Sequence, residues 1–283
     1  MQQKILLITP PFTQLNTSYP ASAYLKGFLE EKNVAVEQCD LSIELFTSIF
    51  TSGFIRAIFR EAQELKSFAI PQVFKLKEQY VLRVDKVISY LQSQTIEKAN
   101  EILAPGFLPK GHRLQTVKKN ITWADGELGI IDKAKHYGTL FIEELGDFIQ
   151  ANVDEFFAFT RYAEQIGTSA SSFDQIEEFL NYQPTIIEDK MLDILEAKIE
   201  LHEPDLVCFS IPFPGNLFAA LRSSQFIKQF FPKIKIAFGG GYCNTELRSL
   251  EDPRIFEFID FITLDDGEGP LLKLVNYLSK ELE

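Results

Sequence analysis

The 283-residue sequence predicts a doubly wound α/β protein, with a five-stranded parallel sheet interrupted by a large helical insertion. Three observations predict it. Short, continuous apolar runs near both ends of the chain read as strands buried on both faces, as parallel-sheet strands are. Each is followed by a turn or a segment of helical periodicity, the alternation of an α/β fold. The middle of the chain instead shows helical periodicity without strand-like alternation.

Residues 4–9 (KILLIT) form the first expected strand, ended by Pro10 and Pro11. Residues 21–33 place Ala21, Tyr24, Leu25 and Phe28 on one helical stripe that ends near Asn33, and residues 34–40 form a second strand. This is a complete β-α-β unit, a crossover of fixed right-handedness in almost all proteins. The same grammar returns at residues 205–211 (DLVCFSI), followed by a PFPG turn and a helix capped by Asn216, with Phe218, Leu221 and Ile227 towards the core. Residues 235–238 (KIAF) stop at Gly239, Gly240 and Gly241, and residues 258–264 run into DDGEGP and a C-terminal helix, LLKLVNYL. Residues 1–46 and 201–283 thus make a discontinuous Rossmann-like (flavodoxin-like) domain, and residues 47–200 a helical insertion. Within the insertion, apolar stripes run through Tyr80, Val84, Val87, Ile88 and Leu91, through Phe141, Leu145, Phe148 and Phe156, and through Ile187, Met191, Ile194 and Leu195. Breaks fall at Ile70–Pro71, from residue 104 to Gly126, and at residues 167–172, where Ser172 and Gln175 resemble a capping box.

Composition narrows the function. With 46% hydrophobic and 24% charged residues the chain is an ordinary globular protein, and its 26 phenylalanines read as core packing. The net charge of −12 repels polyanions, so no nucleic-acid or anionic-membrane partner is expected. The most basic run, residues 109–119, reads as a solvated surface segment. No stretch approaches the roughly 18 apolar residues of a membrane span, and the apolar run at the N-terminus is too short for a signal peptide, so the expected location is cytoplasmic. Cys39, Cys208 and Cys243 are too scattered for a disulfide framework or a metal cluster, and no metal site is expected.

In an open α/β sheet, ligands bind outside the carboxyl ends of the strands. That rule selects the loops at residues 9–13, 210–215, 239–244 and 265–269. The first carries two prolines where a dinucleotide site needs a glycine-rich turn of free N–H groups, and the chain contains no GxxxxGK[ST] motif. The triple glycine lets a backbone lie directly under a flat or bulky ligand. Asp265, Asp266 and Glu268 are the acids in these loops; they read as a solvated acidic loop, and no catalytic acid, base or nucleophile is expected.

The ordered set KILLITPP, PDLVCFSIPF, KIKIAFGGGYCN and FITLDDGEGPLLKLV resembles the cobalamin (B12)-binding domain that precedes the catalytic barrel in B12-type radical S-adenosylmethionine (SAM) proteins, the Fe–S oxidoreductase family. The resemblance covers residues 1–46 and 201–283. It implies that Phe12, Ser210, Pro212, Gly239, Gly240, Gly241, Tyr242 and Glu268 contact the corrin face or its tail. Two departures limit it. The Asp-x-His-x-x-Gly motif that supplies an imidazole to cobalt is absent, and His112, His136 and His202 lie elsewhere. The Cys-x3-Cys-x2-Cys motif for a [4Fe–4S] cluster is also absent, so SAM and the cluster are expected only in a downstream catalytic domain acting in cis. The chain then reads as a cofactor-presenting part of an iron–sulfur oxidoreductase or methyltransferase, serving a small-molecule or peptide substrate and inactive alone. The rival expectation is a non-enzymatic partner- or substrate-binding module with a decayed corrin site.

Overall fold

The computed structural model describes residues 3–14, 17, 19–117, 121–159 and 173–281. The expected break at 167–172, with Ser172 of the capping box, and Lys118 and Lys119 of the basic run lie outside the described residues. Two compact units are present. One comprises Met1–Leu45, Ala158–Pro184 and Glu188–Glu283, and the other Phe46–Phe157 and Thr185–Ile187. Residues 158–159, 173–184 and 188–200, grouped with the insertion by periodicity, therefore fall in the unit that holds the sheet.

In that unit, β1 (Lys4–Thr9), β2 (Ala35–Asp40), β3 (Leu206–Ser210), β4 (Lys235–Gly239) and β5 (Phe261–Ile262) form one all-parallel sheet. Their order is β2-β1-β3-β4-β5, the flavodoxin-like order, which reverses direction between β1 and β3. Register is set by the apolar runs, with Ile5 opposite Leu206, Ile8 opposite Phe209, and Phe209 opposite Phe238. Alternate residues feed two cores. Ile5, Leu7, Val36, Leu206, Cys208 and Ala237 pack with Leu29 of α1 (Ala21–Glu31) and with Leu271, Leu274 and Val275 of the C-terminal helix. Leu6, Ile8, Val207, Phe209, Ile236 and Phe238 are equally buried and point to the opposite face. Each such side chain contributes about 1.5–3 kcal/mol on burial.

The fifth strand is shorter than the expected 258–264. Asp260 is the reason: its carboxylate accepts from Ile236 N at 2.8 Å and from Lys228 Nζ at 2.6 Å, so a side chain occupies the start of the ladder. The helix ends near Asn33 as expected, and Asn33, just past α1, adopts the left-handed φ of 57°.

The second unit is helical throughout its regular structure: the end of α2 (Leu41–Ile49), then α3 (Ser52–Glu64), α4 (Pro71–Lys75), α5 (Lys77–Ser93), α6 (Ile96–Leu103), α7 (His112–Gln115) and α8 (Gly126–Asn152). The phenylalanines and tyrosines pack here as expected, with Tyr80 against Phe141 at 5.0 Å and Phe59 against Phe148 at 4.9 Å between ring centroids. The buried Glu144 carboxylate accepts from Tyr80 Oη at 2.6 Å and Arg113 N at 3.1 Å. Gly111 is required above it, because a Cβ there would lie 2.0 Å from that carboxylate.

One buried ion pair fastens the elements around the sheet. Arg222, on α11 (Leu217–Phe230), donates to Glu188 of α10 (Ile186–His202) at 3.0 Å, and both side chains are almost fully buried. The same guanidinium donates to the carbonyls of Phe179 and Leu180, at the end of α9 (Asp174–Leu180), and to Tyr182 just beyond it. The planar fork therefore satisfies a helix C-terminus and a buried carboxylate together, which one ammonium group cannot do. Arg222→Ala is expected to lower stability by about 3–5 kcal/mol, because it strands Glu188 without its cation. Arg222→Lys should recover only part of this. Urea unfolding measures both, and a midpoint for Arg222→Lys equal to that of the parent protein would contradict the assignment.

Candidate functional site

The switch point between β1 and β3 is built around the carbonyl of Pro10. Proline has no N–H to offer, and its buried oxygen accepts from Asn216 Nδ2 at 2.9 Å and from Ser42 Oγ at 3.3 Å. Ser42 in turn accepts from Thr13 N at 2.9 Å. Two segments distant in sequence, at Ser42 and Asn216, are thereby tied to one loop, and Phe12 within it is 1% exposed. This corrects the expected role of Asn216. Its side chain caps no helix N–H; it spends its amide on Pro10, while its buried Oδ1 has no protein partner among the described residues.

The loops after β3 and β4 are stitched to one another. Ile211 N donates to Gly239 O at 2.8 Å, and Tyr242 N donates to Ile211 O at 3.1 Å. Gly240 makes this possible with φ 103°, ψ −176°, a region open essentially to glycine alone. A Cβ on Gly240 would meet the Ile211 backbone at 2.7–3.0 Å. One on Gly239 would meet Thr263 Oγ1 at 2.6 Å, and one on Gly241 would meet Pro212 O at 3.3 Å. The triple glycine therefore accommodates the protein's own chain, backbone at Gly240 and Gly241 and the Thr263 side chain at Gly239. After β5, Asp265 (φ 66°) pairs with Arg248, and its N–H donates to Asn244 Oδ1 at 2.6 Å.

These loops bring the expected residues to two places. Ser210, Gly239 and Gly240 line a narrow seam with Leu7, Cys208 and Thr263, whose free volume is about 40 Å³. Pro212 and Tyr242 line a separate crevice of about 1050 Å³, walled by Phe173, Phe213, Leu217, Leu247 and Leu250. Glu246, Glu251 and Asp252 also line it, with Asp252 paired to Arg254 at 2.6 Å. Gly241 is exposed at the start of α12 (Gly241–Thr245), Glu268 is half-buried at the start of α13 (Glu268–Glu281), and Phe12 is enclosed in the β1 loop. The eight positions thus do not share one surface. The crevice walls at Phe213, Leu217, Leu247 and Leu250 escaped sequence reading, because isolated apolar residues near helix starts carry the same signal as core residues.

The buried phenol and thiols here are held neutral. Tyr242 is pushed up to about 12 by burial, with Glu246 and Cys243 adding to it. Burial pushes the Cys208 and Cys243 thiols up to about 12, and burial with the neighbouring Glu44 carboxylate raises Cys39 further. Beside the seam, a hydrogen bond to Glu268 raises the exposed Tyr24 phenol. A buried neutral thiol is a poor nucleophile.

The seam also tests the group that the resemblance implies. A free volume of about 40 Å³ is room for water molecules. Organic ligands occupy pockets of roughly 300 Å³ or more, so the residues present do not fit a corrin's nucleotide tail in this form of the chain.

Gly240→Ala is expected to cost roughly 2–5 kcal/mol from combined strain and overpacking. Gly269→Ala, on a helical glycine with open space around it, should be neutral or stabilising by up to about 1 kcal/mol. Thermal unfolding of the two variants checks the contrast, and equal effects would contradict it. The thiols should react with a disulfide reagent at pH 8 only after unfolding. Because their folded pKa values lie above the ~8.5 of an unfolded thiol, stability is full below that pH and is lost as pH rises through the folded values. Urea midpoints at pH 7 and pH 10.5 measure that loss. No family model, no curated protein and no solved structure matches the chain.

Proposed function

We propose that the chain is a non-catalytic binding module on a Rossmann-like sheet of the cobalamin-binding type, in which the corrin-tail site is closed. Its working surface is the crevice after β3 and β4. On the resemblance, that surface presents a small-molecule or peptide substrate to a radical SAM catalytic domain in cis, and SAM and the [4Fe–4S] cluster belong to that domain. The observation that supports this reading is the contrast in space at the strand ends: about 1050 Å³ beside Pro212 and Tyr242, against about 40 Å³ beside Ser210 and Gly240. Apolar walls with Glu246 and Glu251 in the lining suit a ligand with an apolar body and a neutral or cationic head. Tyr242, held as a neutral phenol, serves as a wall.

A second reading keeps cobalamin as a bound cofactor, and one observation favours it. Ser210, Gly239 and Gly240, three of the positions that the resemblance assigns to the corrin, line a single seam. The two readings separate in one titration. Hydroxocobalamin mixed with the purified chain, under oxidising and reducing conditions, should neither co-elute nor change its visible spectrum. Retention at micromolar affinity would overturn the first reading and support the second. The neutral apolar dye Nile red should bind saturably at one site, and Leu250→Gln should weaken it by about fivefold, the effect of ~1 kcal/mol of lost apolar contact. Unsaturable dye partitioning, or an unchanged affinity in Leu250→Gln, would count against the crevice as the working surface.

A further inference from the structure

A second recess lies in the helical unit, between α3 and α5, with a volume of about 280 Å³. Phe59 and Val81, both almost fully buried, form its apolar floor, Arg56, Arg60 and Lys77 surround them, and Glu78 is the one acid in its lining. Three cations against one carboxylate reverse the balance of a chain whose net charge is −12.

The pairing of these cations is incomplete. Arg56 approaches Glu78 at 3.6 Å, but the two side chains are 63% and 72% exposed, so solvent and salt screen the pair heavily. Arg60 forms no ion pair among the described residues, although Glu64 follows it by four positions on the same helix. The Lys77 ammonium lies 4.7 Å from the centroid of the Phe74 ring, a cation–π contact, and pairs with no carboxylate among the described residues. Arg56 and Arg60 are four residues apart on α3, a spacing at which like charges repel. An anion placed between them removes that repulsion and supplies the missing partner.

We propose that this groove binds a small organic phosphate. Its phosphate lies between the guanidinium forks of Arg56 and Arg60 and the Lys77 ammonium, and its apolar part rests on Phe59 and Val81. Two guanidinium groups suit phosphate, because each presents parallel N–H donors to a pair of oxygens, and a dianion matches a site with more than one uncompensated cation. The volume sets the size. Just below the roughly 300–1,000 Å³ range of drug-sized ligand pockets, the groove takes only a compact molecule and not a polymer. This site lies in the other compact unit from the crevice, and its assignment does not depend on the function proposed above.

Calorimetric titration of the full chain at fixed ionic strength tests the proposal, with phenyl phosphate, benzoate and benzyl alcohol as probes. Phenyl phosphate should bind saturably at one site, benzoate about tenfold more weakly, and benzyl alcohol without saturation. Arg60→Gln and Lys77→Gln, both away from the core, should each weaken phenyl phosphate by about tenfold with an unchanged melting temperature. Glu78→Gln should tighten it by removing the competing acid. Lys135→Gln, outside the groove lining, should leave it unchanged. Absence of saturable phenyl phosphate binding at millimolar concentration would overturn the site. So would parental affinity in both Arg60→Gln and Lys77→Gln, or an equal loss in Lys135→Gln, which would indicate diffuse attraction. Equal affinity for benzoate and phenyl phosphate would overturn the assignment to phosphate.

Discussion

The peptide group of Ile211 is the constraint on which the strand-end face depends. It lies one residue beyond β3, yet it donates to Gly239 O and accepts from Tyr242 N, so the β3–β4 ladder continues past the last regular pair. That continuation requires the next chain to pass within contact distance of the Ile211 backbone, and only a residue without Cβ in an extended positive-φ conformation can do so. Gly240 supplies it. Once Gly240 is placed, α12 begins, Tyr242 is buried, and Pro212 is left as a wall of the neighbouring crevice. The Pro10 carbonyl plays the matching part across the switch point, where two side chains replace the backbone donors that a proline-containing loop lacks.

This internal stitching gives the strand-end glycines a different meaning from the one their pattern suggests. A run of glycines at the end of a parallel strand is the usual way to let a ligand approach the backbone, but it serves equally to let another loop approach. Here Thr263, Ile211 and Pro212 take the space over Gly239, Gly240 and Gly241, respectively. The seam that remains is small because it is filled by protein, and the open volume is displaced to the side where the chain after β4 turns away as short helical turns.

Much of the architecture is legible in the sequence because parallel strands buried on both faces must be apolar throughout. KILLIT, LVCFS and KIAF are therefore recognisable without a partner, and their spacing gives the parallel five-stranded sheet. The edge strand is less legible, since Asp260 substitutes a carboxylate for part of the ladder and such a substitution leaves no periodic trace. Asn216 shows a similar limit. Asparagine ahead of a helix is a cap by local rules, but its actual partner is 206 residues away, and only the fold brings Pro10 within reach. The recess of Arg56, Arg60 and Lys77 is a third case, because no run of basic residues marks it; helix spacing and the return of α5 assemble the charge. Among the expected site residues, pattern identified which loops meet at the strand ends, while the partition into seam and crevice depends on side-chain packing that a single sequence does not encode locally.

The central claim is that the β3 and β4 loops form part of the rigid sheet and keep the seam closed. Native-state hydrogen exchange at the amides of Ile211 and Tyr242 measures this most directly. Both should exchange as slowly as the strand amides of Leu7 and Val207, through global unfolding alone. Exchange about a hundredfold faster than in the strands, equivalent to an opening ~2.7 kcal/mol easier, would show that the loops part in the native protein and would contradict the account.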